Sequence, residues 1–290
     1  MTPVYPNVKQ SIGLILMVLL IQNILVLIMG IIVAICGNHD LMKNPLAIII
    51  PSSLGFLLIM LWGYKKTKLP LLKVYRFEKF NISIFMPLLF LVFGTEIICS
   101  EIDNIFRYFF PMPEFIRSMM SDLVSKGASS IIAVVIVAPV MEELIFRGLI
   151  LNGLLSQYSI KKSVLVSAIF FMLFHLNPYQ FAGAFIFGIL SAYIFLATRS
   201  LLPCILCHAL FNSLPFFIKN ILKVEIPGFT QPADPFVHSF QPVWLDGLGI
   251  ALFLIGLNFL ITYYKKYRAF DYKVPEASLM EKQNGAEVLD

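Results

Sequence analysis

The 290-residue chain is 59% hydrophobic and 13% charged, with a formal net charge of +5 and a mean hydropathy of +0.85. Soluble domains average about 25% charged residues, so the composition excludes an ordinary water-soluble globule. The positive balance calls for no nucleic acid partner, because basic residues collect in the cytoplasmic loops of membrane proteins.

A membrane-crossing helix needs about 17–25 apolar residues. Stretches of that kind occur at Ile12–Cys36, Leu46–Gly63, Ile82–Cys99, Ala128–Leu151, Ser163–Leu176, Phe181–Ala197, Leu201–Ile218 and Val243–Tyr264. The expected fold is therefore all-α: a polytopic membrane protein, a bundle of about eight transmembrane helices. The first run exceeds the apolar core of a cleaved signal peptide and lacks a small-residue cleavage site, so it reads as a retained span. The fifth is short, which places its end at His175 within protein or a cavity rather than in lipid.

Charge orients the spans. The stretch Tyr64–Asn81 carries Lys65, Lys66, Lys68, Lys73, Arg76 and Lys79 against the single acid Glu78. Placing it in the cytoplasm also puts Lys161, Lys162, Arg199, Lys265, Lys266 and Arg268 there, with both termini inside. The expected location is an integral multi-pass membrane protein, in the cell membrane if the source is bacterial. Glu101–Lys126 is too polar to span; Ile105, Phe106, Phe109, Phe110, Phe115, Ile116, Met119, Met120 and Leu123 suggest amphipathic segments at the outer interface, interrupted at Pro111 and Pro113. Glu96, Glu101 and Asp103 are expected near the headgroups. Residues 1–270 form one membrane-embedded domain and 271–290 a disordered cytoplasmic tail. Cys36, Cys99, Cys204 and Cys207 lie in or beside apolar stretches and suggest no disulfide framework.

Against this background Glu142, Glu143 and Arg147 are out of place. A charge at the bilayer centre costs about 2.5–3.5 kcal/mol on insertion scales and marks a functional site by default. Glu143 and Arg147, four apart, share a helix face with the acid N-terminal to the base, a favourable pairing. Glu142 lies about 100° further round, unneutralised and available as a general acid or base. Pro139 is expected to kink the helix and admit water. His175 closes the fifth span, and His208 and Asn212, also four apart, share a face of the seventh. At 1.5 Å per residue, Glu142, His208 and His175 lie roughly 9, 10 and 18 Å from the inner ends of their helices, which allows one shared cavity. His39 and His238 fall in outer loops with no assigned role.

The three motifs Glu142-Glu143-x-x-x-Arg147, Phe171-x-x-x-His175 and His208-x-x-x-Asn212 resemble the signature of the CPBP family, the CAAX prenyl endopeptidases and the bacterial Abi or bacteriocin-processing and immunity proteins. The resemblance covers about 128–218, the protease-like core. It implies an intramembrane endopeptidase in which Glu142, aided by His175, activates water. His208 and Asn212 would stabilise the oxyanion, a role worth about 3–4 kcal/mol per donor, with Glu143 and Arg147 supporting. Glu142, His175 and His208 could hold a zinc, or the site could work without metal. The metal-free reading is preferred because the Asn212 amide is a poor zinc ligand and suits an oxyanion hole.

The implied partners are the lipid bilayer and a peptide or protein substrate, lipidated if of CAAX type. With no additional soluble domain in the chain, a bacterial leader peptide, pheromone or bacteriocin is the favoured substrate. Cys204-Ile205-Leu206-Cys207-His208 matches the haem-attachment pattern, yet it sits in an apolar helix near the cytoplasmic end and is rejected. No His-Glu-x-x-His helix or Gly-x-Ser-x-Gly elbow is present. The alternatives are a non-catalytic immunity or receptor-like membrane protein, or a proton-coupled transporter, which the lack of an internal repeat disfavours.

Overall fold

A computed structural model describes residues 5–37, 46–118, 128–230 and 239–267. The 271–290 tail, His39, His238, Met119, Met120 and Leu123 lie outside the described residues. The fold is all-α. Helix α1 spans Val8–Ile35, α2 Leu46–Thr67 and α3 Phe85–Phe109. A helical run, α4, continues from 128 to 155; α5 spans Ile160–Phe174, α6 Pro178–Thr198, α7 Leu201–Asn220 and α8 Val243–Tyr267.

Local sequence explains where these helices start. Asn7 closes a capping box with Gln10 at the head of α1, satisfying two donors that a helix start leaves open. Asn177 caps α6, whose first residue is Pro178; there the missing N–H costs nothing and the fixed φ is already helical. Ser159 caps α5 through the Lys162 amide.

Among the described residues six helices are long and apolar enough to cross a membrane: α1, α2, α3 with its preceding turn, α6, α7 and α8. The expected eight is therefore not reached by that measure. The 15 residues of α5 rise only about 22 Å against a hydrocarbon core of about 30 Å. The α4 run is divided by changes of helix type. Residues Glu101–Phe109, expected as a separate interfacial segment, instead continue α3, and a short helix follows at 114–118. The outward faces of α1 carry exposed Leu16, Leu20, Leu27 and Ile31, a surface suited to lipid and not to water. The inner faces meet in a main core that includes Leu14, Leu88, Leu149, Phe146, Phe171 and Phe187, with a smaller cluster of Ile97, Ile226, Phe229 and Leu245.

Cross-helix contacts define two ends. At one, the connection after α2 docks on the body: Asn152 Nδ2 donates to the Val74 carbonyl at 3.0 Å, the Leu201 amide donates to the Arg76 carbonyl at 2.7 Å, and Gly153 abuts Pro6. At the other, Ser100 and Asn104 reach the Gly228 carbonyl, the Gln241 amide donates to Glu101, and the Tyr179 hydroxyl donates to the Pro111 carbonyl. Asp103 pairs with Arg107 there.

Candidate active site

The α4 run alternates between helix types: α over Ala128–Ile132, π over Ala133–Val137, α over Ala138–Glu143, π over Leu144–Leu151 and α over Asn152–Leu155. Proline explains the first change. A proline ring clashes with the carbonyl four residues back and supplies no N–H. The turn ahead of Pro139 is widened instead, with the Ala138 amide donating to Ala133, five residues back. The Val134 carbonyl thereby loses its usual donor, and the next amide in line is missing because residue 139 is proline. Asn212 fills the gap: its Nδ2 donates to the Val134 carbonyl at 2.9 Å. Such π turns occur often at functional sites.

The short α segment after it presents Glu142 and Glu143 in different surroundings. Glu143 is fully buried. It accepts from Arg147 at 2.9 Å, from the Ser191 hydroxyl at 2.8 Å and from His208 Nδ1 at 3.0 Å. Arg147, also fully buried, donates to the Gly188 carbonyl at 3.1 Å and lies 4.7 Å from the Phe171 ring centroid. The pair expected from i, i+4 spacing is present and sits inside a larger network.

Glu142 differs. Its Oε2 is buried and has no hydrogen-bond partner; His208 Nε2 lies 3.8 Å away, beyond hydrogen-bond reach. The side chain keeps 14% exposure, so it is neither sealed in nor spent on structure. His208 stands between the two acids, bound to Glu143 through Nδ1 and turned toward Glu142 through Nε2. Glu143, held by three donors, can only accept, so Nδ1 carries a hydrogen.

His175 sits at the C-terminal cap of α5. Its Nδ1 lies 2.9 Å from the Phe171 carbonyl, which can only accept, so Nδ1 donates and the neutral ring leaves Nε2 as an acceptor. Its ring packs on Phe171 at 5.0 Å, and the same phenyl meets His208 at 5.7 Å. Phe171 is thus a common wall for the two histidines. Phe187 closes the other side of His208 at 4.6 Å.

Glu142, Glu143, Arg147 and His208 therefore come together, His175 joins them across Phe171, and Asn212 holds the helix that carries the acids. Sequence reading missed Ser191, Gly188 and Phe187, all on α6. Their one signal is a line of small residues, Ala184, Gly188, Ser191 and Ala192, on a helix otherwise rich in Phe and Ile. Among the described residues no three His, Cys, Asp or Glu side chains are grouped to hold a metal ion. Cys204 and Cys207 are buried, with the Cys204 thiol directed at the Ser191 and Ser200 carbonyls.

Residues 125–214 match the family model of the type II CAAX prenyl endopeptidases, Rce1-like. Over this segment, about a third of its length, the chain is similar to that family. All six residues singled out by motif fall inside the matched segment. No curated protein and no solved structure matches the chain. The Rce1-like match supports a peptidase, a hydrolase of peptide bonds, in an all-α membrane protein.

Proposed function

We propose that the chain is an intramembrane endopeptidase that hydrolyses a peptide bond of a membrane-associated peptide or protein, using water activated by Glu142. The observation that carries this reading is the unpartnered Glu142 Oε2, facing a histidine whose other nitrogen is anchored to a second, saturated glutamate. A buried acceptor with no donor is costly, and a water molecule is the simplest group to satisfy it.

Glu142 accepts a proton from that water as its oxygen attacks the scissile carbonyl carbon. His175, through its free Nε2, accepts a hydrogen bond that orients the water. Negative charge moves to the carbonyl oxygen, where His208 Nε2–H and the second N–H of the Asn212 amide donate. In that role His208 acts as the imidazolium, since Nδ1 already donates to Glu143. Glu142 then passes its proton to the leaving nitrogen as the C–N bond breaks. Glu143, Arg147 and Ser191 are positioning residues. No step is routed through a metal.

The substrate is a membrane-associated chain, of CAAX type or a bacterial leader, pheromone or bacteriocin. The test is Glu142→Gln, which keeps shape and removes the base. General-base removal typically costs about 10²–10⁴-fold in rate. Purified Glu142→Gln should lose cleavage by at least about 100-fold while its unfolding midpoint stays near wild type. Equal cleavage by the two proteins ends the proposal. Comparative peptidomics of membranes carrying either form identifies the substrate.

A further inference from the structure

A small cavity of about 40 Å³ lies at the end of the bundle where α2 stops and the chain passes to α3. It is away from the glutamates, lined on one side by Gly148 and Asn152 of α4 and on the other by Tyr5, Lys73 and Arg76. Its volume holds about three water-sized groups.

Thr67 on its wall is satisfied by the Tyr64 carbonyl and the Leu69 amide, but one buried polar atom is not. Asn152 is buried and its amide nitrogen donates twice, to the Val74 and Gly148 carbonyls, which fixes the orientation of the amide. Its Oδ1 is left buried without a donor. Lys73 is exposed and Arg76 partly buried, and neither side chain pairs with an acid among the described residues. Tyr5 stands half-sheltered against Trp62; burial pushes its phenol up to about 12, so it remains a hydroxyl donor. Lys73, Arg76, Tyr5 and Asn152, with its orphan amide oxygen, thus line one space at the end of the bundle where α2 stops. Basic pockets between helices at that level take lipid headgroups.

We infer that the mouth of this cavity binds a phosphate ester bearing a neighbouring hydroxyl or ammonium donor, with the phosphate outside between exposed Lys73 and partly buried Arg76 and only the donor entering to meet Asn152 Oδ1. The shared chemistry belongs to an anionic glycerophospholipid headgroup and to a soluble glycerol phosphate. The site is independent of the proteolytic reading and is tested by binding alone.

The experiment is native mass spectrometry of delipidated full-length protein titrated with phosphatidylglycerol, with phosphatidylcholine as a phosphodiester lacking the donor, and separately with glycerol 1-phosphate. Wild type should retain one phosphatidylglycerol in preference to phosphatidylcholine. Affinity should fall roughly fivefold per base removed in Lys73→Gln and Arg76→Gln. Tyr5→Phe, which deletes one hydroxyl and keeps the ring on Trp62, should weaken binding less. Lys79→Gln, in the same connection but not on the cavity, should change nothing. Glycerol 1-phosphate binding with the same dependence on Lys73 and Arg76 assigns the site to a soluble ester; phosphatidylglycerol alone assigns it to lipid. Equal retention of the two lipids, unchanged binding in the Lys73→Gln/Arg76→Gln double variant, or no binding to wild type overturns the inference.

Discussion

Glu143 and Glu142 are chemically identical neighbours, and what separates them is the number of donors each meets. Three donors converge on Glu143, and none meets Glu142 Oε2. Within a low-dielectric bundle, removing one partner of a buried pair strands the other charge, at about 3–5 kcal/mol. Losing one hydroxyl donor costs about 1–3 kcal/mol. Ser191→Ala should therefore lower stability modestly and slow cleavage severalfold. Arg147→Lys should be the more damaging of the two, although it keeps the charge, because a lysine cannot reach Glu143 and the Gly188 carbonyl while stacking on Phe171. Thermal unfolding in detergent, run beside peptide cleavage, checks the order. The reverse order would show that Ser191, not the guanidinium, holds Glu143.

Among the helices, α3 and α8 approach most intimately. A Cβ on Gly256 would lie 2.4 Å from the Leu91 backbone nitrogen, and one on Gly94 would lie 2.3 Å from that of Phe253. Small residues that admit backbone contact are the usual basis of helix association in lipid, where apolar burial gives no net drive. Gly256→Ala should lower the unfolding midpoint by several degrees. Gly247→Ala, on the same helix with nothing within 4 Å, should leave it unchanged or raise it, since alanine is the better helix former. Equal effects of the two would remove the packing argument. Much at this scale was legible in sequence. The spans of α1, α2, α6, α7 and α8 follow from apolar runs, and the Glu143–Arg147 pair follows from spacing of four. The widened turn before Pro139 and its mending by Asn212 were not, because an amide that reaches a carbonyl 78 positions away leaves no local pattern. Ser191 was hidden for the same reason: it reaches Glu143 from 48 positions further along the chain.

For the whole molecule, contacts bring Pro6, Val74, Arg76, Gly153 and Leu201 to one end and Ser100, Pro111, Tyr179, Gly228 and Gln241 to the other. The connection rich in lysine and arginine lies at the first end, which the positive-inside rule assigns to the cytoplasm. Single cysteines placed at Lys79 and at Phe240, both exposed, in a cysteine-free background should label from opposite faces of sealed vesicles, with position 79 reached only from the cytoplasmic side. Labelling of both from one face would overturn the assignment. The separation into ends was readable from charge. The membership of each end was not, since it depends on which helices lie side by side.

The glycine contact between α3 and α8 also bears on how the protein is made. Its two halves are roughly 160 residues apart, so at about 5–20 residues per second α3 waits on the order of ten to thirty seconds for α8 to leave the ribosome. Every helix bearing Glu142, His175 and His208 is synthesised in that interval. During translation α3 sits in the bilayer with its Gly94 notch unfilled. The last of the described helices to be synthesised is the one that packs on α3, so a nascent chain stalled before residue 243 holds all the residues of the acid–histidine cluster and lacks the partner of α3.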